Sequence, residues 1–451
     1  MADALDFALN APDATVVWAV RADEYTAGNW PDRIGSADAT QATGGQQPTA
    51  VADGGSDFNN KPVVRWDGSD DILEFTLAQA QGFTIIAIAK VTLDNSAIRV
   101  LITDDSANQP ALRWNASNQL QMTAGANVTA SADTLDSPIL AEAYYGGSSS
   151  ILRANSISVA SGNAGTGTLS ATITIGGQSA AGALPFGGDV AEIIIVSGEL
   201  TAADRRYLAQ YAQQRYGLAI PFPQTAAPTP SAFPSASVNH NVNMPPVVKV
   251  GDLLKVHLSL RRDGGSLDGV TTPSGWTLLE SGGSASGAVF VAWYAKIATG
   301  TEGGTTVNFV SGASCVGAVQ CYRVTEWYGS LGGVAIASHV FAVTSMPNPP
   351  AVTASWGSAK NLFFASSLAN DGDESLVSSP TNYTGGVATF AGAVLPSAAV
   401  YTARRELAAS SDNPGSFQLG FADACRTTTL VVRPIPTVPL TGGAGIMAGG
   451  L

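Results

Sequence analysis

Carboxylates, histidines and aromatic rings are the residues in this chain whose types and spacing could do chemistry. Asp67, Asp70 and Asp71 crowd one turn. Three hard oxygen donors so close together suit a calcium ion. Aspartates also build turns by accepting backbone amides, so the cluster reads equally as structure. Glycoside hydrolysis needs two carboxyl groups facing each other across the scissile bond. Glu74 and Glu192 fall within strand patterns, but neither has a second acid at a matching spacing. Glu192 is the better single candidate. A nucleophile needs a nearby base, usually histidine. His240, His257 and His339 stand apart from one another, and residues 1–223 contain none. No HExxH and no paired CxxC appears, so a zinc site has no sequence support. Cys315, Cys321 and Cys425 are irregularly spaced and read as small buried apolar residues rather than a disulfide framework. The chain is therefore expected not to be an enzyme and to carry no cofactor, with calcium at the Asp67 turn as the one metal candidate.

Sugar recognition asks for something else: a ring face for the C–H side of a sugar, with polar groups beside it. Trp114 with Asn115, Tyr144 with Tyr145, and Trp327 with Tyr328 lie at strand ends or in the loops after them, and are the ligand-binding candidates. Trp18, Trp66, Trp276 and Trp293 fall inside strand patterns and are expected in the core.

The elements that must position these residues are almost all strands. Residues 189–197 are apolar on both faces, Ala191, Ile193 and Ile195 against Val190, Ile194 and Val196, as in a central strand covered on both sides. A helix follows. Thr201 and Asp204 can form a capping box, Tyr207, Leu208, Tyr211 and Ala212 make one stripe, and Gly217 can stop it. Residues 61–75 read as strand, tight Asp67-Gly68 turn, strand. Further short strands recur every eight to twelve residues or so with turn signals between them.

Composition agrees. The chain has 451 residues, enough for two domains, with 45% apolar but only 13% charged residues and 49 glycines. That mixture predicts an all-β protein with many turns. Residues 1–223 carry 11 basic and 23 acidic side chains, and residues 224–451 carry 11 and 12. An acidic first part argues against nucleic acid and anionic membrane as partners. No apolar run is long enough for a membrane span, and no secretory signal is read at the start.

The words WPDRIGSADATQ, KPVVRWDGSDDILEF, FTIIAIAKV and FGGDVAEIIIVSGELTAADRRYLAQYAQQRYGL resemble the laminin-G-like, concanavalin A-like jelly-roll domains of bacterial and phage proteins, over residues 12–220. The words GDLLKVHLSL, TTPSGWTLLES, VAWYAKIATGTEGGTTVNF and VGAVQCYRV resemble a β-sandwich module of tailed-phage tail and fibre proteins, over residues 235–433. Together they imply an all-β chain of two sandwiches. The first, 1–220, is a jelly roll ending in one helix. A proline-rich linker follows at 221–234, then a second sandwich at 235–436 and a glycine-rich tail at 437–451. The implied role is a fibre, spike or decoration subunit on the surface of a phage-like particle, made in the host cytoplasm. It would be present in many copies or as a homo-oligomer, touch other virion proteins and attach to a host surface glycan. A purely particle-stabilising protein and a glycoside hydrolase are the alternatives.

Overall fold

The computed structural model describes residues 6–93, 96–104, 110–170, 172–179, 183–218, 222–262, 264–267, 269–284, 287–369, 375–392 and 396–435. The expected tail at 437–451 lies outside the described residues. The chain is all-β and forms two compact units, Met1–Ile220 and Pro221–Pro436.

In the first unit the strand Gly187–Ser197 is central, as its two-sided apolarity predicts. It pairs with Phe83–Val91 on one side and with Val63–Asp67 and Thr15–Arg21 on the other. A register shift between Val190 and Glu192 changes which residues share a face. Val190, Ile193 and Ile195 point between the two sheets, while Ala191, Ile194 and Val196 face the helix. Strict alternation cannot foresee an inserted residue. The helix Ala202–Tyr216 begins with the predicted capping box and ends at Gly217, whose φ of 72° suits glycine. Asp204 also accepts the amides of Asp13 and Ala14, so the cap ties the start of the chain to the helix.

The predicted 61–75 hairpin does not form. Val63–Asp67 belongs to the first sheet and Leu73–Thr76 to the second, and the Asp67–Asp71 segment crosses between them. Trp66 on one strand and Leu73 and Phe75 on the other all enter the same inter-sheet core. Facing each other across that core buries these side chains more fully than lying side by side on one sheet. The second sheet runs in the order Asn127–Asp133, Gln119–Thr123, Ala111–Trp114, Arg99–Asp104, Thr172–Ile175, Leu73–Thr76, then two short strands. Its first strand, Asn127–Asp133, was not expected from the sequence.

In the second unit the proline-rich run is extended, as its composition predicts, but it is not free of the sheet. Gln224–Thr225 and Thr229–Asn243 both pair with the long strand Thr306–Thr325. The unit then repeats one five-strand plan twice. The first sheet orders its strands Thr229–Asn243, Thr306–Thr325, Leu253–Arg261, Val289–Ile297, Thr277–Gly283. The second orders them Val334–Ser338, Asp423–Val432, Ala359–Ala369, Ala398–Ala409, Thr384–Ala391. In each sheet the first and last strands in sequence are neighbours, and the others follow in the same order.

Short words mark the duplication. Pro245-Pro246-Val247-Val248 matches Pro349-Pro350-Ala351-Val352, and Thr272-Pro273-Ser274-Gly275-Trp276-Thr277 matches Ser379-Pro380-Thr381-Asn382-Tyr383-Thr384. In both turns the ring residue donates its amide to the proline carbonyl, at 3.1 and 3.0 Å. Both place a left-handed residue before the ring, Gly275 at φ 77° and Asn382 at φ 66°. Trp276 and Tyr383 each cap the outer core of their own sheet.

The inner faces of the two sheets pack on each other. Leu253, Tyr322 and Val324 meet Leu362, Phe364, Leu430 and Val432. Leu253 pairs with Val324 as Leu362 pairs with Val432, which makes Lys255 and Phe364 equivalent positions. These two touch, with Lys255 Nζ 3.0 Å from the Phe364 ring centroid. Equivalent positions meeting across an interface is the pattern of a two-fold contact.

Candidate functional site

The outer face of the second sheet of the first unit gathers side chains suited to a polar ligand. In the strands Ala111–Trp114, Gln119–Thr123 and Asn127–Asp133, Leu112, Trp114, Leu120, Met122, Val128 and Ala130 fill the core. Period-two alternation sends Arg113, Gln119, Gln121, Asn127, Thr129 and Ser131 to the opposite face. These form a ladder. Arg113 Nε donates to Gln121 Oε1 at 2.7 Å and its terminal nitrogen to Asn127 Oδ1 at 3.0 Å. Gln121 Nε2 donates to Thr129 Oγ1 at 2.6 Å, and Gln119 Nε2 to the Ser131 carbonyl at 3.0 Å. Arg113 is half-buried, and burial lowers its pKa. Its two hydrogen-bond partners are neutral amides, and among the described residues no carboxylate forms an ion pair with it. Among the described residues its positive charge is therefore uncompensated at close range, in a unit whose sequence is strongly acidic. A guanidinium held flat by amides can take a carboxylate or sulfate in bidentate fashion, or vicinal hydroxyls. The sequence reading missed this ladder, although the alternation ALRW…QLQMT…NVTAS carries its signal.

The aromatic candidates fare differently. Trp114 is fully buried in the inter-sheet core and donates Nε1 to Thr134 Oγ1 at 2.8 Å. Replacing it would cost about 3–5 kcal/mol of core packing rather than test a sugar face. Tyr145 is also fully buried and stacks on Phe83 with centroids 4.8 Å apart. Trp327 is buried, with Nε1 on the Gly251 carbonyl at 2.9 Å. These three assignments are corrected: bulky rings at strand ends were drawn inward because burial gains more than exposure. Asn115, Tyr144 and Tyr328 are half-buried. Asn115 closes the 114–119 turn by accepting the amides of Ser117 and Gln119, and its Nδ2 donates to Gln119 Oε1, at the end of the ladder. Arg433 lies 4.3 Å over the Tyr328 ring. Trp18, Trp66, Trp276 and Trp293 are core, as expected.

Asp67, Asp70 and Asp71 do converge, with ligand oxygens within 4.8 Å of one another. Asp71 Oδ2 already accepts the Asp67 amide and Asp67 Oδ1 the Ser69 amide, which shape the crossing between sheets. Burial, with the neighbouring Asp67 and Asp70, raises the Asp71 pKa. The donors are of the right hardness for calcium, and their turn-making bonds account for them without one.

Glu192 is not placed for hydrolysis. It is sealed beneath the helix, where Tyr211 and Tyr216 both donate to Oε2, Tyr216 at 2.8 Å. Burial outweighs those hydrogen bonds and the nearby Arg21, and its pKa is pushed up to about 7. Glu74 sits half-buried on Leu73–Thr76.

In the second unit His240, Ser311 and Cys315 form a buried trio. His240 Nε2 is 3.0 Å from Ser311 Oγ and 3.4 Å from Cys315 Sγ. Burial lowers the His240 pKa to about 4 and raises that of the Cys315 thiol. Both are neutral near pH 7, so the trio holds no thiolate nucleophile there.

No protein-family model matches the chain, and no curated protein matches it. Among solved structures it is similar to Trypanosoma rangeli sialidase in complex with sialic acid, at 15% identity and a TM-score of 0.37. That match covers 45% of this chain and 34% of the sialidase chain. Domain 4 of AbnA, a GH43 extracellular arabinanase from Geobacillus stearothermophilus in complex with arabinotriose, matches at 14% identity and a TM-score of 0.35, covering 44% of this chain and 99% of that one. A heptameric SAP-like pentraxin from Limulus polyphemus matches at 12% identity and a TM-score of 0.26, covering 33% and 80%. The chain thus spans about a third of the sialidase's length, and all three are partial likenesses.

Proposed function

We propose that this chain is a non-catalytic attachment protein whose first unit binds an acidic surface glycan on the ladder around Arg113. The observation that carries this reading is the half-buried Arg113 guanidinium, held by Gln121 and Asn127 without a carboxylate partner among the described residues. A uronic or sialic carboxylate would complete it, while Gln119, Thr129 and Asn115 offer donors and acceptors for neighbouring hydroxyls. Placement on a phage-like particle, as a fibre, spike or decoration subunit beside other virion proteins, is supported by the sequence words of both units. Many copies would turn a weak single site into firm attachment.

The test is titration calorimetry of the full chain with acidic and neutral oligosaccharides. Acidic glycans should bind, with affinity falling at least tenfold in Arg113→Met and in high salt. Thermal stability should hardly change in that variant. A protein that binds no glycan, or binds equally well without Arg113, sinks the reading and leaves the particle-stabilising alternative. Electron microscopy of particles made with and without the gene product tests the virion placement separately.

A further inference from the structure

The duplication in the second unit supplies an internal control, because its two sheets expose equivalent edges. In the first sheet the edge strand is Thr229–Asn243. Pro230 and Pro234 interrupt it, and Ser235, Asn239, Asn241 and Asn243 point to solvent. Proline and polar side chains are the ordinary way to keep a sheet edge from pairing further. In the second sheet the corresponding edge continues from Val334–Ser338 into Ala342–Thr344. There Ala342, Val343 and Thr344 pair with Cys425, Ala424 and Asp423. Ser345 and Pro347 accept the amides of Leu419 and Phe417 on that same side. Among the described residues no strand pairs on the other side.

This second edge is not interrupted by proline and is more apolar. Residues 339–346 contain no proline, and residues 334–359 contain no Asp, Glu, Lys or Arg. Val340, Val343 and Met346 are 79%, 74% and 56% exposed, and Phe421, in the segment leading into the neighbouring strand, is 71% exposed. Such apolar exposure on an open edge marks a docking surface.

We propose that the edge 340–346 is where a second copy of this chain docks, pairing antiparallel with the same edge. Three observations favour a copy over another partner. An antiparallel edge is self-complementary about a two-fold axis. With that axis at Val343, each Val343 faces its counterpart and Val340 of one protomer lies beside Met346 of its partner, so every exposed apolar residue of the strip is covered. The strip is also uncharged, so it offers an acidic or basic partner nothing to pair with. Finally, the sequence from 224 onward is nearly neutral, with 11 basic and 12 acidic side chains, whereas residues 1–223 carry 11 and 23. Two copies meeting through the second unit bring together surfaces that do not repel. This inference stands apart from the glycan reading, since it uses a different unit and a different measurement.

Sedimentation equilibrium of the full chain over a range of concentrations tests it. The wild type should pass from monomer to dimer, while Val343→Lys and Phe421→Asp should remain monomeric with unchanged circular dichroism. Val238→Lys, on the edge carrying the prolines, should dimerise like the wild type. A wild type that stays monomeric throughout overturns the proposal, including the case in which the strip captures a strand of some other protein. So does a dimer that survives both Val343→Lys and Phe421→Asp, or one that is lost in Val238→Lys.

Discussion

The first unit and the seam between the sheets of the second bury charge in opposite ways. In the first, Asp6 and Glu142 are buried with cationic partners. Asp6 takes hydrogen bonds from both Arg21 and Arg33, and Arg21 extends the network to Asp23. Glu142 holds Arg153 at 2.6 Å, with both side chains nearly inaccessible. In the second unit the interface between the duplicated sheets buries Lys255 and His257 with no hydrogen bond to Lys255 Nζ or to either ring nitrogen of His257. Other polar groups at that seam are paired, Tyr322 with Thr402 at 2.6 Å, Trp293 Nε1 with Ser366 at 3.1 Å, and Gln320 Nε2 with Thr389 and the Val387 and Val400 carbonyls. A satisfied buried pair fixes geometry but rarely gains much stability over an apolar one, whereas an orphaned polar group is a plain cost. The first unit spends its charges on pinning the chain start and the helix. The second retains polar residues at a seam where two like surfaces came together.

That contrast is broken most directly at Arg153. Arg153→Met leaves Glu142 buried without its cation, and the expected loss is about 3–5 kcal/mol. Urea unfolding of the full chain, with hydrogen exchange on the strand Ile139–Tyr145 to locate the change, measures it. A loss below about 1 kcal/mol would show that Glu142 finds water or another partner, and the contrast would then fail in its first half.

Glu192 sharpens the same comparison, because it is a half-satisfied buried acid in the first unit: Oε1 has no hydrogen-bond partner. The folded protein keeps its proton up to about pH 7, whereas the unfolded chain releases it near the ordinary value of 4.5. Folding therefore takes up a proton between those values. Stability from this group is full below pH 4.5, falls as the pH rises, and levels off above 7, a change of about 3 kcal/mol. The groups acting on it are Tyr211 and Tyr216 from the helix, Arg21 from the adjoining strand and Asp6 from the chain start, with Arg215 behind the Tyr216 hydroxyl. Glu192→Gln should remove the slope, so the variant gains on the wild type steadily from pH 4.5 to 7.5. A wild-type-minus-variant difference that is flat with pH rules this out.

How much of this was legible in the sequence depends on the length of the signal. The strand Gly187–Ser197 and its helix were legible because eleven and fifteen residues each repeat one period, and because Thr201, Asp204 and Gly217 mark the helix ends. The register shift beside Val190 was not, since one inserted residue leaves composition unchanged. The Asp67 turn reads as a hairpin locally, and only the shared core of Trp66, Leu73 and Phe75 shows that it crosses between sheets. The Arg113 ladder was written in clean alternation but was passed over in favour of aromatic rings, which strand geometry turned inward. The duplication was hidden for another reason. Only turn words such as PSGW and PTNY persist, because a turn constrains particular residues, while a strand interior accepts many apolar ones.

The seam offers the smallest effect and the most pointed test. Lys255 occupies the position that is Phe364 in the sister sheet, and burial lowers its pKa well below the usual lysine range. Unfolded, that lysine binds a proton up to its ordinary value of 10.5, while folded it gives the proton up at a lower pH. Between the folded and unfolded values folding therefore releases a proton, and stability from this group rises with pH until the unfolded lysine also loses its charge. Lys255→Met keeps the chain length and polarisable contact with Phe364 but removes the orphaned nitrogen. We expect it to stabilise the protein by about 1–3 kcal/mol at pH 7, and the gain to shrink as the pH approaches 10. Urea unfolding of both proteins at pH 7 and pH 10 reads this directly. A destabilised variant would mean that Lys255 is held by the rings of Phe364 and Tyr322 as a cation, and that the seam, like the first unit, has partners for its charge after all.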